Sequence, residues 1–244
     1  MTPRDIERAT ITAWPAAITE RHNGWFYLAS GGVTGRVNAV WPLEWTGGAA
    51  LDAAIAHAEG WYAARGLPPR FKLTDNACAP AELGEALGQR GYAPVAATYV
   101  MTRPLPPLPA EPAVALSATM PSAFDDVLRR TAKDAAEYDE RRAIALRAPP
   151  PACFGCVERN GAVLAIGMTA GTAELAGLFL MRTAPEARRQ GMARRIVRAL
   201  LADAAARGAR HAFLQVEADN APAIALYESE GFSVLTTYRF WRKP

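Results

Sequence analysis

No apolar run in this chain approaches the ~20 residues that a membrane-spanning helix needs. The opening residues, Met1-Thr2-Pro3-Arg4-Asp5, are too polar for the apolar part of a secretory leader, so a cytoplasmic protein with no membrane partner is expected. Cysteine is scarce: three residues are an odd number and too few for a disulfide framework. Cys153-Phe154-Gly155-Cys156 fits C-x-x-C, yet Cys153–Glu158 reads as a strand, where residues three apart face opposite sides. His22, His57 and His211 are scattered and no second cysteine pair exists, so no metal is expected. Charge of one sign is missing as well. With 27 Lys and Arg against 24 Asp and Glu, the net +3 implies no field for nucleic acid. Neither G-x-x-x-x-G-K-[ST] nor a G-x-G-x-x-G after a strand is present.

What the chain does hold is Arg188-Arg189-Gln190-Gly191-Met192-Ala193, between an apolar run, Leu175–Met181, and a helical pattern. Met192, Ile196, Val197, Leu200, Leu201 and Ala204 recur at helical spacing, and Gly208 marks the stop. Strand, glycine turn and amphipathic helix in that order leave the first N–H groups of the helix pointing outward at its positive end, which suits phosphate. Gly191 lets the backbone approach an anion, Ala193 leaves room, and Arg188 and Arg189 add charge. A solvated helix face is the plainer reading of the arginine run; a nucleic-acid groove is disfavoured because no aromatics interleave.

The R-x-x-G-x-A spacing resembles the pyrophosphate loop of the GNAT superfamily of acyl-CoA-dependent N-acetyltransferases. Downstream, Asn220-Ala221-Pro222-Ala223-Ile224-Ala225-Leu226-Tyr227, then Glu228-Ser229-Glu230-Gly231-Phe232, resembles the family's N-x-x-A-x-x-L-Y-x-x-x-G-F segment at every marked position. The resemblance spans roughly residues 112–244. It implies acetyl-CoA as cosubstrate, with backbone groups of Met181, Arg182 and Thr183 holding the thioester and Arg188–Ala193 holding the diphosphate. It makes Tyr227 the general acid that protonates the leaving thiolate; packing against the pantetheine arm is the alternative. Asn220 would contact the cosubstrate, or equally cap the helix that follows it. For the base that deprotonates the amine, Glu174 and Glu217 are candidates without positional support.

Periodicity places helices over 4–13, 51–65, 80–90, 122–130, 135–146, 192–207 and 221–230. Strands are expected over 25–29, 36–42, 71–73, 95–101, 153–158, 163–169, 173–183, 212–217 and 232–241. The stretch from Pro104 to Pro112 is too rich in proline for helix or central strand and reads as a stiff linker. PRFKLT…LGQRGY parallels HAFLQV…YESEGF: Gly66 and Gly208 stand 208 − 66 = 142 apart, Phe71 and Phe213 the same, Gly91 and Gly231 140. The expected fold is therefore α/β with two tandem GNAT-like domains, each a mixed sheet flanked by helices. These are a degenerate copy over 1–104, a linker over 105–112 and a catalytic copy over 113–244.

By the same offsets Thr46 stands opposite Arg188, Ala49 opposite Gly191, Leu51 opposite Ala193 and Leu87 opposite Tyr227, though Gly47-Gly48 lie in the loop region. The first copy is thus expected to pack against the second and close one side of the cleft. The expected reaction moves an acetyl group to a primary amine of a small molecule, amino acid or peptide; a CoA-binding regulatory module without turnover is the alternative. Glu137, Tyr138, Asp139 and Glu140 form either a receptor for a cationic amine or a solvated face. Monomer and homodimer both remain open.

Overall fold

The computed structural model describes residues 1–47 and 50–244. The first half runs α1 (Pro3–Ala13), β1 (Ile18–His22), β2 (Trp25–Ala29), a 3-10 turn over Gly35–Val37, β3 (Ala39–Trp41), α2 (Leu51–Ala63), β4 (Phe71–Thr74), α3 (Leu83–Gln89), β5 (Ala93–Pro94) and β6 (Thr98–Pro104). The second runs β7 (Ala115–Ser117), α4 (Ser122–Thr131), α5 (Ala135–Arg147), β8 (Cys153–Arg159), β9 (Ala162–Gly171), β10 (Leu175–Thr183), a 3-10 turn over Pro185–Ala187, α6 (Met192–Ala206), β11 (His211–Glu217), α7 (Ala221–Ser229) and β12 (Ser233–Arg242).

Local chemistry accounts for many of the boundaries. Thr2 and Asp5 form a reciprocal capping box at the start of α1. Asp134 opens α5 by accepting the Glu137 N–H at 2.8 Å. Asn160 and Gly161 both have positive φ, 54° and 76°, as the two-residue turn between β8 and β9 requires. Cys153 and Cys156 lie on opposite faces of β8, each in a different apolar cluster. Burial pushes their thiols up to about 12 and about 11.

Three expected elements differ. Residues 36–42, read as one strand, split into the Gly35–Val37 turn and a three-residue β3. The helix expected over 80–90 is α3, which starts only at Leu83, with Pro80 before it. The strand expected over 95–101 lies at Thr98–Pro104 and so enters the proline-rich stretch. Pro104 is tolerated because β12 pairs with β6 only as far as Thr102. Leu105 and Leu108 then pack on the second half's core. β1 and β7 have no counterpart in the sequence reading; all five β1 residues are exposed, so no apolar alternation marks that strand. Gly48 and Ala49, set opposite Gln190 and Gly191 by the repeat, lie outside the described residues.

The strands form one sheet in the order β1-β2-β3-β4-β12-β6-β11-β10-β9-β8-β7, with β5 on β12. The order reads alike from either side of the β12/β6 pair: β1-β2-β3-β4-β12 answers β8-β9-β10-β11-β6. Each half thus lends its last long strand to the other. β6 pairs antiparallel with β11 along its whole length, and β12 pairs with β4. One apolar cluster, under α1, α4 and α5, mixes Leu28, Trp41 and Trp14 of the first half with Phe154, Met168 and Phe179 of the second. A second lies under α6 and α7, and a third under α2 and α3.

Candidate active site

β10 and β11 run parallel but pair over only three positions, ending at Gly177↔Phe213. Beyond that point β11 stays with β6 while β10 stays with β9, so the two strands part. The main-chain groups on the β11-facing edge of β10 past Gly177 are left without a strand partner, a state a buried backbone seldom tolerates without another use.

At the same place β10 bulges. Phe179 pairs with Met168 and Arg182 with Ile166, so Leu180 and Met181 together oppose Gly167. Leu180 takes φ of +50°, unusual for a branched side chain. As a result Phe179 and Leu180 both face the α1 side, while Leu178 and Met181 face α6. Gly167 makes the bulge possible: a Cβ there would collide with Met181 Sδ and sit 2.6 Å from Ile196 Cγ2.

Thr183 leads through the Pro185–Ala187 turn to the loop. Arg189 and Gly191 both take left-handed φ, 58° and 76°. Gly191 is the N-cap of α6, no side chain caps it, and a Cβ there would meet nothing within 4 Å. The first N–H groups of a 15-residue helix therefore open onto free space. Arg188, Arg189, Gln190 and Gly191 are exposed, Ala193 is half-buried, and Met192 is buried beneath them. Gln190 donates to Glu186 O at 2.9 Å, bracing the loop. The arginine run divides by task. Arg194 and Arg198 are tied to buried Glu230 at 3.1 and 3.0 Å. Among the described residues Arg188, Arg189 and Arg195 have no carboxylate within 4.0 Å.

Tyr227 is buried in the same cluster as Leu178, Met192 and Val216, with Met181 packed against it. Phe232 lies edge-on to its ring, centroids 6.0 Å apart. Burial pushes its phenol up to about 12. Asn220 caps α7 through Oδ1, which accepts the Ala223 N–H at 3.3 Å. The helix-capping role is therefore the one seen, with its amide N–H₂ left over. Tyr99 of β6, which pairs with Val216, also packs on this cluster. Met181, Met192 and Tyr227 thus share the cluster on the α6 side of β10, while the Arg182 side chain lies on the other face with Glu137.

On the opposite side Trp14, the C-cap of α1, stacks on Phe179 at 5.0 Å, and the Arg36 guanidinium lies over both rings, 5.6 and 6.0 Å from their centroids. Arg182 donates to Glu137 Oε1 at 2.8 Å, and Arg141 bonds the same oxygen at 2.9 Å. Burial opposes ionisation of Glu137, but the Lys133 N–H and the two guanidiniums outweigh it and hold the carboxyl below its usual range. Glu140 is buried and accepts from the Val33 and Thr34 N–H groups and from Asn38 Nδ2. Tyr138 bonds Asp125 and Arg129. The 137–140 cluster is therefore neither a free receptor for a cation nor a solvated face; only Asp139 is exposed. A cavity of ≈ 360 Å³ lies outside Glu140, between residues 30–33 and α5, and no residue of the Arg188–Ala193 loop lines it.

Glu174 is exposed beside the paired end of β10, seven residues before Met181. At the strand rise that is ~23 Å away, too far for a base acting at the bulge. Glu217 closes β11 at the parted end, exposed.

Nearly the whole chain matches a family of acetyltransferases. Residues 2–241 match the family model described as "Probable histone acetyltransferase Rv0428c C-terminal". The chain is 28% identical over 258 residues to "Uncharacterized N-acetyltransferase YobR" of Bacillus subtilis (strain 168), covering 97% of each. A GCN5-related N-acetyltransferase from Kribbella flavida superposes with TM-score 0.71 at 17% identity, covering 100% of this chain and 96% of that one. A tandem GNAT protein from the clavulanic acid biosynthesis pathway superposes with TM-score 0.64 at 15% identity, covering 98% and 87%.

Proposed function

The chain belongs to the Rv0428c C-terminal acetyltransferase family, a tandem GNAT enzyme, and from that premise we propose that it moves an acetyl group from acetyl-CoA to a primary amine. The observation that supports this most is the parting of β10 from β11 beside an uncapped α6 N-terminus whose Gly191 faces open space. Residues Arg188–Ala193 would hold the diphosphate through main-chain N–H groups, with Arg188 and Arg189 adding charge. The unpaired main-chain groups of Met181, Arg182 and Thr183 would hold the thioester and take up the charge that develops on its oxygen. Asn220 has its side-chain N–H₂ to offer the cosubstrate beyond its cap. Bound acetyl-CoA supplies an activated acetyl group; the protein supplies position, donors and a proton.

Tyr227 is the donor we assign to the departing sulfur. Its raised pKa keeps it a phenol across the working range, so the hydrogen bond it offers never titrates away. The amine must arrive neutral, and an alkylamine of pKa ~10.4 is mostly charged at pH 7. Glu217, exposed at the parted end, is the carboxylate on β11 nearest that task.

The experiment is acetyl-CoA consumption against an amine panel, with Tyr227→Phe as the control and calorimetric CoA binding beside it. Turnover that collapses in Tyr227→Phe while CoA affinity holds is the expected result. Tight CoA binding with no turnover on any amine would instead make this a regulatory CoA-binding module.

A further inference from the structure

Three guanidiniums from three distant parts of the chain meet on the α1 side of the bulge. Arg36 comes from the turn before β3, Arg141 from α5, and Arg182 from β10 itself, one residue past the bulge. Glu137 Oε1 is the one carboxylate oxygen that Arg141 and Arg182 share. Arg36 has no carboxylate within 4.0 Å among the described residues; its side-chain bond is a long one, 3.4 Å to Gln215 Oε1. Arg141 Nε is buried without a partner. Glu140 is the remaining acid in the neighbourhood, and its oxygens are taken by the 33–34 main chain and Asn38.

This arrangement is costly to the fold alone. Like charges brought together in half-buried positions repel, and a buried donor without an acceptor forfeits its hydration. Arg141 shows the strain: burial, and then the neighbouring Arg182, lower its pKa to about 10. Nothing in the packing of Phe179 requires three cations, since Trp14 and Phe213 already cover it. A guest anion would relieve all three groups at once, and planar guanidinium forks match a carboxylate in two-point geometry.

We propose that the acceptor is a short amino-carboxylate, such as an amino acid, whose carboxylate is held by Arg36, Arg141 and Arg182 while its amine faces the bulge. The assignment rests on the acetyl-transfer reading above. Arg182 follows Met181 directly, so the anion subsite adjoins the place of attack, and amine and carboxylate must be few bonds apart. A peptide N-terminus, whose carboxylate lies far along the chain, does not meet that condition.

The test uses the full chain and a panel of amino acids, each paired with its own primary amide, plus short peptides, with acetyl-CoA as donor. Acids should exceed their amides in kcat/KM by about 10- to 100-fold, the range of a charge-assisted bond lost. Most of the difference should lie in KM. In Arg36→Gln the acid-over-amide ratio should shrink toward unity, and Arg36→Lys should restore part of it. Equal rates for acid and amide in the wild type would overturn the proposal without need of any variant. So would a preference for peptides, or for succinyl-CoA over acetyl-CoA with no acid-over-amide preference, which would move the carboxylate to the acyl chain. If no amine is acetylated, the transfer reading fails separately. Calorimetry with CoA present then decides: acids that bind while amides do not uphold the anion subsite, and absence of binding by either overturns it.

Discussion

Trp14 of the first half lies flat on Phe179 of the second, centroids 5.0 Å apart and planes within 12°. Phe179 is the last residue paired before the bulge, so an aromatic from one repeat props the bulged strand of the other. Trp14→Ala should cost about 3–5 kcal/mol in denaturant-monitored stability, the usual range for truncating a buried Trp. A chain of residues 113–244 alone should fail to fold solubly. Without β6, neither β11 nor β12 has its antiparallel neighbour, and two long edges stand open. A monomeric, cooperatively folded 113–244 fragment would contradict this.

Gly191 and Gly167 are required for different reasons, and their variants should separate. Gly191→Glu adds a negative charge at the proposed diphosphate site and forces a side chain into φ of +76°. Its backbone cost is ~1–2 kcal/mol. We expect calorimetry to show CoA affinity reduced at least 100-fold while circular dichroism stays native. Gly167→Ala meets Met181, whose end can swing, but also Ile196, a branched residue on α6 that cannot. Overpacking of that kind costs about 1–3 kcal/mol, and here it should also lower CoA affinity by pushing α6 off the sheet. Unchanged CoA affinity in Gly191→Glu would mean the diphosphate binds elsewhere.

Tyr227→Phe should lower kcat about 10²-fold or more with the KM for acetyl-CoA little changed, as for loss of a group that acts in the transition state. The pH profile is the sharper measurement. A phenol at about 12 binds its proton throughout the accessible range. The rate should therefore rise with pH as the amine loses its proton and show no falling limb below pH 10. A falling limb near pH 9–10 that vanishes in Tyr227→Phe would assign the phenol a pKa near its ordinary value and undo the argument from burial.

Half of the proposed site lies in short sequence motifs and half does not. Gly191 and Tyr227 sit in short motifs because a loop and the helix after it are contiguous, and their chemistry travels with local sequence. Arg36 reaches Phe179 across more than 140 positions, and Arg141 is joined to Arg182 only through Glu137. No periodicity records such meetings. The repeat was legible through Gly66, Phe71 and Gly91, yet the exchange of β6 and β12 was not. Each strand shows the same apolar alternation whichever half supplies its neighbours. The sequence made Glu137 and Glu140 look available because it cannot show the guanidiniums and main-chain donors already bound to them.

Away from the site, the buried pair Lys72 and Glu7 joins β4 to α1, both side chains wholly inaccessible. The ammonium also lies 3.9 Å from the Trp41 ring centroid and 3.8 Å from that of Tyr238. Burial, only partly offset by Glu7, pulls the Lys72 pKa down to about 8. Glu7 Oε1 has no partner, so the pair is not fully satisfied. Lys72→Met strands a buried carboxylate and should cost about 3–5 kcal/mol. Glu7→Leu combined with Lys72→Met removes both charges and keeps the volume, and should recover most of that loss or exceed wild-type stability. The double-mutant cycle in urea decides the matter. If the double variant is as unstable as the sum of the singles, the pair is independent of its partner's charge, and the two rings, not Glu7, hold the ammonium in place.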